Sequence, residues 1–332
     1  LFMQQSTLKK LSEVLGISIS TVSRALKNHP DISESTKTRV RELATALEYE
    51  PNHNAVQLRT RQSHVLGILV PSIDNFFYDS FIAAVEGMAR EQGYSVLIMQ
   101  SRDQLDVENA NLHLFRKNMV SGGFASVSIE TEEMNAFQKL SDQKIPVVFF
   151  DRVPELPGFH KVCLSDAKAA RLAAETIILK KKKRVLGLFG HPHLSITKMR
   201  AASFRETLEK KAPVPQFCID YPEGIEKSKE VTLAALKSHT RPDVIFCMGD
   251  MILVGVMQAI HELQLKVPEE ISVISISNGL FPTMYNPKIT YVETNGGKLG
   301  KLAFSQMMSA IRHEPFPEIS YLEADLIEGG SI

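Results

Sequence analysis

At 332 residues the chain is long enough for two or three domains of roughly 100–200 residues each. It is 44% hydrophobic and 23% charged with zero net charge, which excludes collagen-like, coiled-coil and fully disordered chains. No stretch approaches the ~20 apolar residues of a membrane span, and Leu1 to Gln5 lack the apolar core of a secretory signal. Cys163, Cys218 and Cys247 are scattered and outside CxxC spacing, so neither a disulfide framework nor a zinc site is expected, and the predicted setting is a reducing cytoplasm. The zero charge hides a gradient: residues 1–62 carry nine Lys/Arg against six acids, a net of +3, which leaves −3 for the other 270. A basic head on an acidic body suits a nucleic-acid module joined to a sensor.

In chain order, the first fifty residues predict three short helices. Thr7 caps the first, with Leu8, Leu11, Val14 and Leu15 at helical spacing, and Gly16 ends it. Ser18 caps the second, with Val22, Ala25 and Leu26 inward. After the polar break Asn28 to Asp31, Ser33 caps the third, with Val40, Leu43 and Leu47 inward. Two helices joined by a glycine-containing turn make a helix-turn-helix, which the third closes.

Pro51-Asn52 breaks this pattern, and from Val65 the texture changes. Apolar strands are predicted at Val65 to Pro71, Tyr94 to Met99, Ile145 to Phe150, Val185 to Phe189, Val244 to Met248, Ile271 to Ile276 and Ile289 to Val292. Helices are predicted at Phe81 to Gln92, Ala167 to Lys180, Met199 to Lys210 and Met251 to Leu263. Continuous apolar strands alternating with helices predict parallel sheets covered on both faces, and 270 residues of this pattern predict two doubly wound lobes. Ligands in such folds sit beyond the carboxyl ends of the strands.

The segment Thr7 to Arg61 contains Gly16-Ile17-Ser18, Ser20-Thr21-Val22-Ser23-Arg24, Tyr49-Glu50-Pro51-Asn52 and Leu58-Arg59-Thr60. It resembles the DNA-binding head of the lac-repressor (LacI/GalR) family of bacterial transcription regulators. Short polar groups at the start of the second helix suit the major groove, and Arg24, one turn later, can chelate a guanine edge. The resemblance places Ile19, Ser20 and Arg24 at base-reading positions. Ser18, Thr21 and Ser23 suit phosphate contacts, and Ser18 also reads as a plain N-cap. Asn28 completes the expected DNA-binding set in the helical head. Residues 53–61 resemble the family's hinge helix, which implies a minor-groove wedge at Leu58 with the small Ala55 beside it. The alternative is a plain linker.

The body resembles the family's sensor domain, whose fold is that of periplasmic sugar-binding proteins. The resemblance implies an N-terminal all-α helix-turn-helix head (1–50), a hinge or linker (51–62), and an α/β two-lobed periplasmic-binding-protein-like sensor domain (63–332). In that reading the N-lobe takes about 63–161 and 292–321, and the C-lobe about 162–291 and 322–332. The expected effector contacts are Asn75, Phe76, Phe77, Asp151, Arg152, Ser195, Arg200, Asp250, Ser277 and Asn278. Phe76 stands where the family usually has proline, and Gly249-Asp250 replaces the commoner Asn-Asp. Aromatic faces with Asp, Arg and Asn suit a sugar, and they also suit a nucleobase or a sugar phosphate. Each residue has a plainer alternative: Asp151-Arg152 as a strand-end ion pair, Phe76 to Tyr78 as lobe core, Asp250 as a helix cap.

Lys180 to Arg184, five consecutive bases, reads as a solvated turn. His191-Pro192-His193 lacks a third metal ligand, and there is no Walker loop, no GxGxxG after the first strand and no Gly-x-Ser-x-Gly. No cofactor, metal site or catalytic activity is therefore expected. The resemblance implies a cytoplasmic homodimer with double-stranded operator DNA and a small-molecule effector, a carbohydrate, as partners, and no membrane. A free solute-binding protein would leave residues 1–62 unused, and a carbohydrate enzyme would lack a positioned nucleophile.

Overall fold

The computed structural model describes residues 8–49, 63–210 and 215–332, and the chain separates into two compact units, Leu1–Ser63 and His64–Ile332. In the first unit α1 (Leu8–Leu15), α2 (Ile19–Leu26) and α3 (Glu34–Ala46) surround a small core of Leu11, Val22, Ala25, Val40 and Ala44. Gly16 adopts φ +65° between α1 and α2, a left-handed turn that glycine makes without steric cost. Ser18 and Ser33 cap α2 and α3 by accepting the backbone N–H of Thr21 and Thr36. Val14, expected on the apolar face of α1, is 60% exposed, because its helix is too short to bury more than one stripe. Thr7, Ala55 and Leu58 lie outside the described residues.

The second unit is built on two six-stranded sheets. The first sheet has the order β11-β5-β4-β3-β1-β2, all parallel, from β1 (Val65–Val70), β2 (Ser95–Gln100), β3 (Gly122–Ala125), β4 (Val147–Phe150), β5 (His160–Leu164) and β11 (Ile319–Leu322). The second repeats the pattern as β12-β10-β9-β8-β6-β7, from β6 (Arg184–Leu188), β7 (Gln216–Asp220), β8 (Val244–Cys247), β9 (Ser272–Ser277), β10 (Thr290–Glu293) and β12 (Asp325–Ile327), with β12 antiparallel. Central strands such as β1 and β9 are buried along nearly their whole length, as their unbroken apolar runs require. In each sheet the strand order reverses at the first strand of the lobe, β1 or β6, which opens a crevice at its carboxyl end.

The chain passes between the sheets three times: after β5 into α7 (Asp166–Leu179), after β10 into α12 (Gly296–Ile311), and between β11 and β12. These passages fall slightly beyond the expected positions, because the crossing strands continue to Leu164, Glu293 and Leu322. The helix expected from Phe81 begins at Phe76. This helix, α4 (Phe76–Glu91), starts early because the Asn75 side chain accepts the Phe77 N–H and supplies a cap. Alpha-helix α12 packs on α4 through small residues. A Cβ at Gly296 would stand 2.3 Å from the Phe77 carbonyl oxygen, a backbone atom that cannot swing aside. Gly296→Ala is expected to cost about 1–3 kcal/mol in urea unfolding despite alanine's better helix propensity.

The remaining helices are α5 (Leu105–Lys117), α6 (Asn135–Asp142), α8 (Ser195–Glu209), α9 (Gly224–Lys237), α10 (Asp250–Glu262) and the short α11 (Leu280–Thr283). Cys163 and Cys247 are buried and Cys218 is exposed on the edge strand β7. Burial and the neighbouring Asp166 carboxylate push the Cys163 thiol up to about 12, and burial raises Cys247 further. Since the thiolate is the nucleophile, iodoacetamide at pH 8 should modify Cys218 alone in the native protein and all three after denaturation, read by mass spectrometry.

Candidate functional site

In the head, the start of α2 presents polar groups to solvent. Ser18, Ile19, Ser20 and Arg24 are exposed, and Thr21 and Ser23 are half-buried. The Ser18 hydroxyl lies 2.7 Å from that of Ser20 and 2.8 Å from that of Thr21, a hydroxyl cluster around the first turn. Asn28 follows α2 at φ +58° and its side-chain oxygen accepts Arg41 Nη2 at 2.9 Å, so its amide is tied to the middle of α3. The same face thus offers an apolar side chain at Ile19, 47% exposed, hydroxyls, and a guanidinium one turn on. That combination suits base edges and phosphates.

In the body, the carboxyl ends of the two sheets border a cavity of about 350 Å³. Eight of the ten expected effector residues line it: Asn75, Phe77, Asp151, Arg152, Arg200, Asp250, Ser277 and Asn278. Phe76 and Ser195 do not. The Phe76 ring sits edge-on to Phe281, 5.1 Å between centroids, and the Ser195 hydroxyl donates to the Val153 carbonyl at 3.3 Å. Both tie one lobe to the other.

Asp151 follows β4 in the left-handed region at φ +56°, tolerated by aspartate at modest cost, which aims its carboxylate into the crevice. Its Oδ2 accepts the Tyr78 hydroxyl at 2.7 Å. Burial, then the Asp151 charge, hold the Tyr78 phenol well above its ordinary pKa, so the proton stays on the tyrosine hydroxyl that donates to Asp151. Arg152 turns the other way, to Asp103 Oδ1 at 2.5 Å. Arg200, in the second turn of α8, is gripped by Asp166 through Nε at 2.7 Å and Nη2 at 2.5 Å, and donates from Nη1 to the Met248 carbonyl at 2.9 Å. Asp166 is fully enclosed, and burial raises its carboxyl above the ordinary range while Arg200 opposes the rise.

Asp250 opens α10, accepts the Ser277 hydroxyl and takes the Asn278 N–H at 3.2 Å. Burial raises its pKa, and these hydrogen bonds restrain the rise. Asn278, expected to bind ligand, is largely committed elsewhere: its amide donates to Phe76 O and Ser80 Oγ at 3.2 Å, and its oxygen accepts Gly296 N–H at 2.9 Å. Asn278→Ala would leave that buried N–H unpaired, and is expected to cost about 1–3 kcal/mol in chemical unfolding.

Sequence reasoning did not single out Asp103, Ile129, His191, Glu223 or Met248 as lining, although all five face the cavity. Four come from loops whose course only the fold defines, while Met248 directly follows β8 at the carboxyl end of a predicted strand, the position from which ligands are expected to be reached. Among the described residues no cluster of His, Cys, Asp and Glu has the geometry to hold a metal, and no helix is long and apolar enough to cross a membrane.

Residues 7–52 match the family model "Bacterial regulatory proteins, lacI family", and residues 177–332 match "Periplasmic binding protein-like domain". The chain is 27% identical over 314 residues to the ribose operon repressor of Bacillus subtilis (strain 168), covering 94% of each, and 25% identical over 313 residues to the repressor PurR of Vibrio atlanticus (strain LGP32), covering 92% of each. Among solved structures, a lac repressor dimer bound to operator and the anti-inducer ONPF superposes with a TM-score of 0.89 at 21% identity, covering 99% of each chain. A LacI family regulator from Enterococcus faecium with bound ribose superposes at 0.72 and 18% identity, over 80% of this chain and 98% of the other. Head, body and relatives agree: the chain carries a lacI-family DNA-binding domain ahead of a periplasmic-binding-protein-like domain.

Proposed function

We infer that the protein is a sequence-specific, DNA-binding transcription regulator, a repressor, whose operator affinity is set by a small-molecule effector held between the two lobes. The observation that carries this reading is the coexistence, in one chain, of an exposed polar α2 start and a 350 Å³ cavity with converging Asp, Arg and Asn side chains. A cavity of that size fits a sugar or sugar derivative. The relatives named above are repressors, and one structural neighbour holds ribose. The lac repressor neighbour is a dimer on operator DNA, and we propose the same assembly here, cytoplasmic, with each head reading half of a palindromic site. In this reading the chain divides into head, hinge and sensor at about 50 and 62. The proposed contacts remain those named from the sequence, less the two side chains outside the cavity.

An effector acts only through a difference in affinity between the DNA-competent and DNA-incompetent states, and the coupling is reciprocal. The test is selection of binding sites from a random duplex pool with the full chain, followed by titration of the selected duplex with sugars. Recovery of a palindrome whose affinity falls with salt, and shifts with one sugar, supports the reading. A pool that stays random overturns it.

A further inference from the structure

The charge balance inside the cleft narrows the chemistry of its ligand; this rests on the reading of the cleft as the effector site. Among the described lining residues, three side chains can carry positive charge: Arg152, Arg200 and His191; no lysine lines the cavity. Each already faces a carboxylate. Arg152 is 2.5 Å from Asp103, Arg200 is 2.5 Å from Asp166, and His191 Nε2 is 3.8 Å from Glu223.

Two further carboxylates, Asp151 and Asp250, also line the cavity, and among the described residues neither has a cation within ion-pair distance. Their hydrogen-bond partners are neutral: the Tyr78 hydroxyl for Asp151, and the Ser277 hydroxyl and Asn278 N–H for Asp250. The lining therefore holds more negative charge than its cations cancel. In a partly desolvated crevice that excess is screened far less than at a surface.

Helix ends work the other way. Alpha-helices α4, α8, α9 and α10 begin beside the cavity, and the N-terminus of each carries roughly half a positive charge. Three of these ends already have an acid: Asp79 is in the first turn of α4, Glu223 immediately precedes α9 and Asp250 is the first residue of α10. The remaining end, at α8, supplies about half a charge against two carboxylates that no ion pair engages, and Arg152 and Arg200, which act on Asp151 and Asp250 from a distance, are each already paired with another carboxylate. Hydrogen-bond capacity points the same way, since ionised carboxylates only accept.

We propose that the cleft selects a ligand free of phosphate and carboxylate: a hydroxyl- or amine-rich molecule that donates to Asp151 and Asp250 and offers only uncharged acceptors to Arg152 and Arg200. Phosphorylated and acidic sugars are refused by charge, although their hydroxyls would suit the same side chains.

The test titrates the full chain, by calorimetry and thermal unfolding, with matched pairs: D-ribose and D-ribose 5-phosphate, D-glucose and D-glucose 6-phosphate, D-galactose and D-galacturonate, adenosine and its 5′-monophosphate, with D-glucosamine added. The expected result is that a neutral or amine member raises Tm by a few degrees while its anionic mate binds roughly 100-fold more weakly. Asp103→Asn, which frees Arg152, should narrow that gap. An anionic member that binds as tightly as its neutral mate, or a gap indifferent to Asp103→Asn, overturns the proposal and leaves the effector-site reading standing. Binding by no member removes the effector-site reading, and the proposal with it.

Discussion

Replacing Arg200 with alanine is expected to lower the unfolding free energy by about 3–5 kcal/mol, the cost of stranding a buried charge. Arg200 is the counter-ion of Asp166, whose side chain is 2% exposed, and the pair joins α8 to the start of α7 directly under the cavity. The loss should depend on pH in a defined direction. In the intact protein burial already raises the Asp166 carboxyl above its unfolded value, with Arg200 opposing. Without the guanidinium the folded-state value rises further. A folded pKa above the unfolded one favours folding at low pH, and that advantage disappears as pH rises through the folded value. Arg200→Ala should therefore be least destabilised near pH 4–5 and most at pH 8 (on the order of the ordinary carboxylate range and above). Urea unfolding of both proteins across that range checks it. A pH-independent difference would mean that Asp166 finds another partner. Arg200→Ala combined with Asp166→Asn should recover much of the stability, since neither member is left charged.

Arg24→Ala should leave Tm unchanged and weaken binding to the selected operator by about 5- to 150-fold, the roughly 1–3 kcal/mol of one bidentate base contact. The side chain is exposed on α2, while Val22 and Ala25 on the opposite face carry the packing, so folding and reading are separable at this position. Arg24→Lys keeps the charge but loses the planar fork, and should recover salt-dependent binding without recovering preference for the selected duplex. Ile19→Ala is a second probe, because an exposed Ile at a helix start contributes nothing to the head's core. If Arg24→Ala lowers affinity for random duplex as much as for the operator, Arg24 contacts phosphate and does not read bases.

Much of the head is determined by the sequence alone, because its structure is local. Ser18 and Ser33 cap helices that begin one residue later, Gly16 takes the left-handed turn, and Leu11, Val22 and Val40 fall inward by helical spacing. The central strands β1, β4, β6, β8, β9 and β10 are equally legible, since strands covered on both faces must be continuously apolar, whereas the interior strands β3 and β5, with Gly122, Gly123, His160 and Lys161, carry no such run and are not. Of the edge strands β2 is legible, but β7 alternates exposed and half-buried residues, and β11 and β12 are short and partly polar, so their composition resembles loop. At the start of α12 only the Asn295 cap, which accepts the Lys298 N–H, signals a helix, Gly296-Gly297 speak against one, and what requires glycine at 296 is the approach of Phe77 O.

The cavity divides along the same line. Residue types such as Asp151, Arg152 and Arg200 are visible at predicted strand and helix ends. Their partners lie 73, 49 and 34 positions away, at Tyr78, Asp103 and Asp166. Local chemistry proposes which side chains are polar and where chain segments turn. Only the tertiary structure decides which of those side chains are already satisfied, as Asn278 is, and which face the cavity with capacity to spare, because that depends on contacts between segments that local propensity does not encode.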